Sequence, residues 1–237
     1  MSGEVQPFPT GRLAKNSDWS LSALRKWLLS DPGEVRSYIV KSVRMDSTSQ
    51  CFEQHGSGPN FQGGLLTLCT CKHQMRTSLN CATWPGTWIA GFTSRCIHKR
   101  RHWLFFLTRI ANAYESHAEL WESLSETTRR NKSAQNNFLG DVFVPRGKVT
   151  GGGRFDPRRY YQPSRHSHRQ GTCDTGWRND IDYWYADRYG PPWLLVGDPQ
   201  LTFIWEKPVI RLDADHCRNF RKWASIDRLL RHLRETP

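Results

Sequence analysis

Residues 65–113 read LLTLCTCKHQMRTSLNCATWPGTWIAGFTSRCIHKRRHWLFFLTRIANA. Three apolar runs, 65–71, 87–92 and 103–111, have the length and composition of strands. Cys, Lys, His, Arg, Thr and Ser fill the intervals between them. The stretch therefore predicts a hydrophobic β frame that presents a cluster of polar and basic groups.

Working outward, the segment 36–45 also alternates, with Tyr38 and Val40 on one side and Ile39 and Val43 on the other. Residues 46–64 are rich in Gly and predict a loop. Lys72, Met75, Arg76 and Leu79 have the spacing of a helical turn. Residues 115–124 predict an amphipathic helix with Leu120, Trp121 and Leu124 as its stripe. A polar segment, 127–137, precedes a short strand at 138–144, and 145–169 has loop composition. Residues 193–196 and 201–205 predict two strands joined by the turn Gly197-Asp198-Pro199-Gln200.

The ends of the chain read differently. Residues 1–19 predict a mobile arm. In 20–35, Ser20 is placed to cap a short helix carrying Leu21, Leu24, Trp27 and Leu28 on one face, closed by Asp31-Pro32-Gly33. Residues 213–237 predict a basic C-terminal helix. Its stripe is Phe220, Trp223, Ile226, Leu229, Leu230 and Leu233. Six or seven strands with a few helices make an α+β domain over 36–212, with a small, mostly antiparallel barrel as its architecture and the helices peripheral.

Charge narrows the partners. Lys and Arg number 34 against 22 Asp and Glu, a net +12, which favours polyanions such as nucleic acid and nucleotides. No apolar run has the length of a membrane helix, so no membrane partner is expected. The opening residues lack a secretory leader, which predicts a cytoplasmic protein whose 7 Cys are mostly free thiols.

Lys72 and Arg76, one helical turn apart, are candidates to face a phosphate. Arg95, His98, Lys99, Arg100, Arg101 and His102 form a second basic cluster; a solvated positive face is the alternative for both. Trp84, Trp88, Phe92 and Trp103 are candidates for stacking on a base, set against packing in a core. Cys69, Cys71 and His73 would share one face of an extended chain, with Cys81 or Cys96 nearby. Their spacing is not that of structural zinc pairs, and neither metal nor cofactor is expected. His166, His168, Cys173, Asp174 and Asp180 lie within fifteen positions, and a His with an Asp there could do acid–base work. Gly151–Gly153 is followed by no Lys-Ser/Thr and is not a phosphate loop.

The ordered motifs LTLCTCKHQMR, GTWIAGFTS and LFFLTRIANAYESHAELW resemble the nucleotide modification associated domain proteins of phages and bacteria, and most nearly their second class. The matching positions are Tyr38, then Cys71, Lys72 and Arg76, then Gly86, Trp88, Ile89, Gly91 and Ser94, then Leu120 and Trp121. Gly140 with Asp141, His166 or His168, Asp174 with Thr175, and the two late strands align further on. Thr87 stands where that pattern has Asp. The resemblance implies a role at modified nucleotides or nucleic acid, in a phage or defence setting, with PUA and EVE barrels as fold analogues.

Two readings of function follow, with a third beside them. The first is a binding module that recognises a modified base through an aromatic pocket, using Tyr38, Cys71, Lys72, Arg76, Trp88, Ser94 and Arg95. The second is an enzyme that modifies or cleaves a nucleotide, with His166, His168 and Asp174 as acid–base groups. The third is a DNA-associated structural protein whose basic surface does all the binding.

Overall fold

The computed structural model describes residues 13–28, 31–164, 176–182, 190–216 and 219–236. Ser20 caps the first helix as its sequence predicts. Its Oγ accepts from the Ala23 amide at 3.2 Å and its carbonyl from the Leu24 amide at 3.0 Å. Helix α1 (Leu21–Leu28) buries Leu21, Leu24 and Leu28. Trp27, assigned to the same stripe, is 62% exposed and meets Trp19 edge-on. With 3.6 residues per turn it lies about 60° past Leu24, beyond the buried face. The expected arm is not free over its last residues: Leu13 is buried, Ser17 bridges to Ile204, and the Trp205 indole donates to the Trp19 carbonyl.

The alternation expected across 36–45 breaks into two strands, β1 (Val35–Val40) and β2 (Val43–Met45). The turn at Lys41 and Ser42 resets the phase, so Val43 joins Tyr38 and Val40 in one cluster instead of opposing them. β2 pairs with β3 (Phe52–Gln54), inside the expected loop. β4 (Thr67–Leu68) is shorter than the apolar run that contains it, because Lys72 turns left-handed at φ 59° and α2 (His73–Arg76) starts there. β5 (Trp88–Thr93) and β6 (His102–Tyr114) follow the two other apolar runs closely.

Helix α3 (His117–Ser123) forms where the Leu120 stripe predicts it, capped by Ser116. The polar segment after it holds a further helix, α4 (Glu126–Lys132), whose cap is Ser125. The strand expected at 138–144 is reduced to one bridge, Val142 to Ser133. β7 (Leu194–Ile204) is a single strand where two were expected. Its register on β6 passes from Gly197 opposite Ile110 to Thr202 opposite Thr108, so 198–201 loop out without ending the pairing.

The C-terminal region departs most from its sequence reading. Instead of one helix it forms β8 (Ile210–Leu212), β9 (Arg221–Trp223), α5 (Ile226–Arg231) and β10 (Leu233–Glu235). The apolar positions are right: Trp223, Ile226, Leu229, Leu230 and Leu233 are buried. Their helical spacing is satisfied by only one and a half turns. Ser225 caps α5 by accepting from the Arg228 amide, which starts a helix after Trp223 rather than through it. The open edge of β1 takes Trp223 opposite Val35, and β8 takes Leu233 opposite Leu212. β9 and β10 are thus strands of the main sheet.

The sheet order is β10-β8-β6-β5-β1-β9. β1 runs parallel to β5, β5 antiparallel to β6, and the far edge of β6 carries β8 and then β7, on which β4 pairs. The result is an α+β fold whose sheet is mostly antiparallel and curls as a half-barrel. One face packs Val35, Ile39, Trp88 and Phe92 under α1 and α5; the other packs Tyr38, Val40, Ile89, Trp84 and Phe106. Each fully buried aromatic contributes roughly 1.5–3 kcal/mol, so these clusters hold the sheet. Among the described residues, no helix is long and apolar enough to cross a membrane.

Candidate functional site

The end of β4 and the start of α2 form one wall of a cleft of about 280 Å³. Thr70 to Met75 line that wall, and Asn219 and Phe220, just ahead of β9, line the other. The left-handed backbone at Lys72 sets the geometry. It reverses the chain and places the Lys72 ammonium 5.0 Å from the centre of the Tyr38 ring on β1. A cation held over an aromatic face gains roughly 0.5–2 kcal/mol.

Arg76 lies beneath this wall and is fully buried. Its Nε donates to the Cys71 carbonyl at 2.7 Å, and its Nη1 to the carbonyls of Pro192 and Trp193 at 2.7 and 2.9 Å. The Trp84 indole closes the arrangement by donating to the Arg76 carbonyl. The guanidinium fork is thus a brace that ties the α2 turn to the entrance of β7. It is not the surface phosphate contact that its spacing from Lys72 suggests.

Tyr38 and Cys71 meet in the same place. Burial holds the Tyr38 hydroxyl well above its ordinary pKa, and among the described residues its oxygen has no hydrogen-bond partner. Desolvation pushes the Cys71 thiol up to about 11, against the pull of Arg76 and Lys72, so it is a thiol and not a thiolate at neutral pH.

His73 supplies a relationship that sequence reading did not find. Its Nε2 stands 2.9 Å from Oδ1 of Asp180, which is 1% exposed, while the imidazole keeps 32% of its surface open. Asp180 belongs to a short 3-10 helix, Gly176–Asp180. The sequence marks Asp180 only as a neighbour of His166, His168 and Asp174, and those three lie outside the described residues. No local signal pairs position 73 with position 180; the tertiary fold alone does it.

A second polar centre fixes β4 from behind. The Lys132 ammonium at the end of α4 is buried and donates to the Asn60 carbonyl, the Asn60 Oδ1 and the Thr67 hydroxyl at 3.1, 2.8 and 2.9 Å. The Thr67 hydroxyl in turn donates to Asp141 at 3.0 Å. Burial lowers Lys132 to about 8 and raises Asp141. Cys69 points into this centre, and burial holds its thiol well above its ordinary pKa.

The remaining candidates lie elsewhere. Trp88 is fully buried on the face of the sheet opposite Tyr38, packed with Val35 and Leu104. Trp84, Phe92 and Trp103 are equally core residues, so they form no base-stacking pocket. Ser94 and Arg95 occupy the β5–β6 turn, where the Ser94 hydroxyl meets the Cys96 sulfur at 3.1 Å and Arg95 stands 4.0 Å from Asp215. Cys69, Cys71 and His73 do not share an extended face, because the chain turns between them at Lys72. Among the described residues no three His, Cys, Asp or Glu side chains gather as a metal site, and five cysteines are free thiols.

The chain matches no family model, no curated protein and no solved structure. The likeness to nucleotide modification associated domains therefore stands on its motif residues alone. Of these, Cys71 and Lys72 line the cleft and Tyr38 and Arg76 are buried behind its wall, while Trp88 and Ser94 lie elsewhere.

Proposed function

We propose that the cleft binds a nucleotide, free or within nucleic acid, with Lys72 at a phosphate and the base against Phe220 and Met75. The observation that carries this reading is the Lys72 ammonium held over Tyr38 at the mouth of a concave site whose other wall is Asn219 and Phe220. A fixed cation beside an aromatic face and two amide side chains, Gln74 and Asn219, is the chemistry that grips a phosphate and reads a base edge. The net charge of +12 favours the same partners. The motif resemblance supports a modified base as the preferred ligand and a phage or defence setting in the cytoplasm. Base-reading barrels of the PUA and EVE type are the fold analogy that this reading favours.

Fluorescence titration of the tryptophans with modified and plain nucleotides tests the reading. Saturable binding that weakens about tenfold in Lys72→Ala supports it. Equal affinity for modified and plain bases removes the base-reading part. Binding to oligonucleotides that follows salt alone fits the DNA-associated structural protein instead.

A second reading is favoured by the His73–Asp180 pair. A buried carboxylate in ion-pair contact with a half-open imidazole on a cleft wall is a pairing that general-base chemistry uses. On this reading the protein modifies or cleaves the bound nucleotide, with His73 moving the proton and the Asp180 carboxylate offsetting the charge of the imidazolium. Nucleotide turnover lost in both His73→Ala and Asp180→Asn would support it; binding without turnover would leave the module reading.

A further inference from the structure

Resting on that nucleotide reading, we infer that the ligand is a single-stranded polynucleotide whose backbone crosses a second, arginine-lined cleft. This cleft is about 420 Å³ and lies between the turn at Asp156–Tyr160 and the 3-10 helix Gly176–Asp180. Arg146, Arg158 and Arg178 line it, with Asp156 and Asp182 as its carboxylates. Asp156 is occupied by Arg158 at 2.9 Å, which leaves Arg146 and Arg178 as the cations without an acidic partner among the described residues.

Arg146 is held in a set position. Its Nε donates to the Tyr160 carbonyl at 3.0 Å, and its guanidinium lies 4.6 Å from the centre of the exposed Tyr161 ring. Both Nη groups are left to donate to phosphate oxygens, beside an aromatic face that can take a base. Arg178 is exposed on the 3-10 helix.

The same helix joins the two clefts. Asp180, two residues after Arg178, meets His73 on the wall of the first cleft. A 3-10 helix rises about 2 Å per residue, so Arg178 and Asp180 are close neighbours along its axis. Trp177 and Arg178 of this helix line the second cleft while Asp180 meets a wall residue of the first, so one short helix links the two. A mononucleotide fills only one of them; successive nucleotides of one strand can reach both. The base in the first cleft must be unpaired to enter it, which selects single strands over duplex.

Fluorescence polarisation with the full chain tests this, using a labelled mononucleotide, a labelled single strand about twelve nucleotides long, in the range of single-strand site sizes, and its duplex. The single strand should bind at least tenfold tighter than the other two. Replacing Arg146 and Arg178 together by Ala should cut single-strand affinity at least tenfold, leave mononucleotide binding unchanged, and flatten the salt slope by about 1.4, the value for two phosphates. Single-strand affinity unmoved by that double change, or a duplex bound equally well, overturns the inference. Mononucleotide binding unmoved by Lys72→Ala counts against the first cleft alone, so the two failures are told apart.

Discussion

Lys72 and Tyr38 come from segments 34 positions apart, yet the Lys72 ammonium lies 5.0 Å from the Tyr38 ring centre. The left-handed backbone at Lys72 makes this possible, at a conformational cost of roughly 1 kcal/mol that a non-glycine residue bears there. A strained residue at a cleft mouth is a place where geometry has been kept for the side chain. The relieved strain and the lost cation–π contact are of similar size, so Lys72→Gly should leave thermal stability nearly unchanged while weakening nucleotide binding about tenfold, as in Lys72→Ala. Calorimetric melting beside the binding titration checks it, and a large fall in Tm would mean that Lys72 serves packing.

Arg76 should behave as a structural brace. Arg76→Met leaves one buried and two partly buried carbonyls without their donor, and a loss of about 3 kcal/mol is expected. Arg76→Lys should recover little of it, since a single ammonium cannot reach Cys71, Pro192 and Trp193 with the same geometry. Urea unfolding of the two variants decides this; near-native stability in Arg76→Lys would count against the brace.

Lys132 predicts a pH dependence with a definite sign. Its folded pKa of about 8 lies below its ordinary value of 10.5, so between these the unfolded chain holds the extra proton. Stability then rises with pH through this window because of Lys132. The buried thiols of Cys69 and Cys71 act oppositely above their ordinary value of 9, where the unfolded chain loses protons first. The cleanest range is therefore pH 8 to 9, read as the wild-type stability minus that of Lys132→Met. That difference should widen as pH rises; a constant difference would show that Lys132 is not titrating.

Cys71 should be slow to alkylate at neutral pH. With its thiol pushed up to about 11, only a minute fraction is thiolate near pH 7.5. Exposed Cys96 should be modified first, and the Cys71 rate should climb about tenfold per pH unit over the alkaline range. Peptide mass mapping after timed iodoacetamide treatment measures both. Rapid labelling of Cys71 at neutral pH would instead identify an activated nucleophile.

Much of the frame was legible in the sequence because it is governed by local physics. Ser20 announces a helix by its capping chemistry, and the runs 87–92 and 103–111 announce strands by length and branching. The C-terminal stripe shows where that reasoning stops. Its apolar residues are all at helical spacing, but a vacant edge on β1 and the capping hydroxyl of Ser225 divide it into strand, helix and strand. The β7 bulge likewise has the sequence of a turn, since Gly-Asp-Pro-Gln has turn chemistry whether or not pairing resumes after it.

The sequence by itself determined the apolar frame, the basic balance, and the cluster Cys71-Lys72-Arg76 as the place to look. Tertiary structure alone decided what each member does. Arg76 turns inward because Pro192 and Trp193 present carbonyls to it from 116 and 117 positions away. His73 acquires a carboxylate because Asp180 is carried to it on a separate helix. Trp88 and Tyr38 part company because neighbouring parallel strands send them to opposite faces of one sheet. Spacing along the chain fixes which side chains can share a face; it does not fix which distant backbone or charge will meet that face.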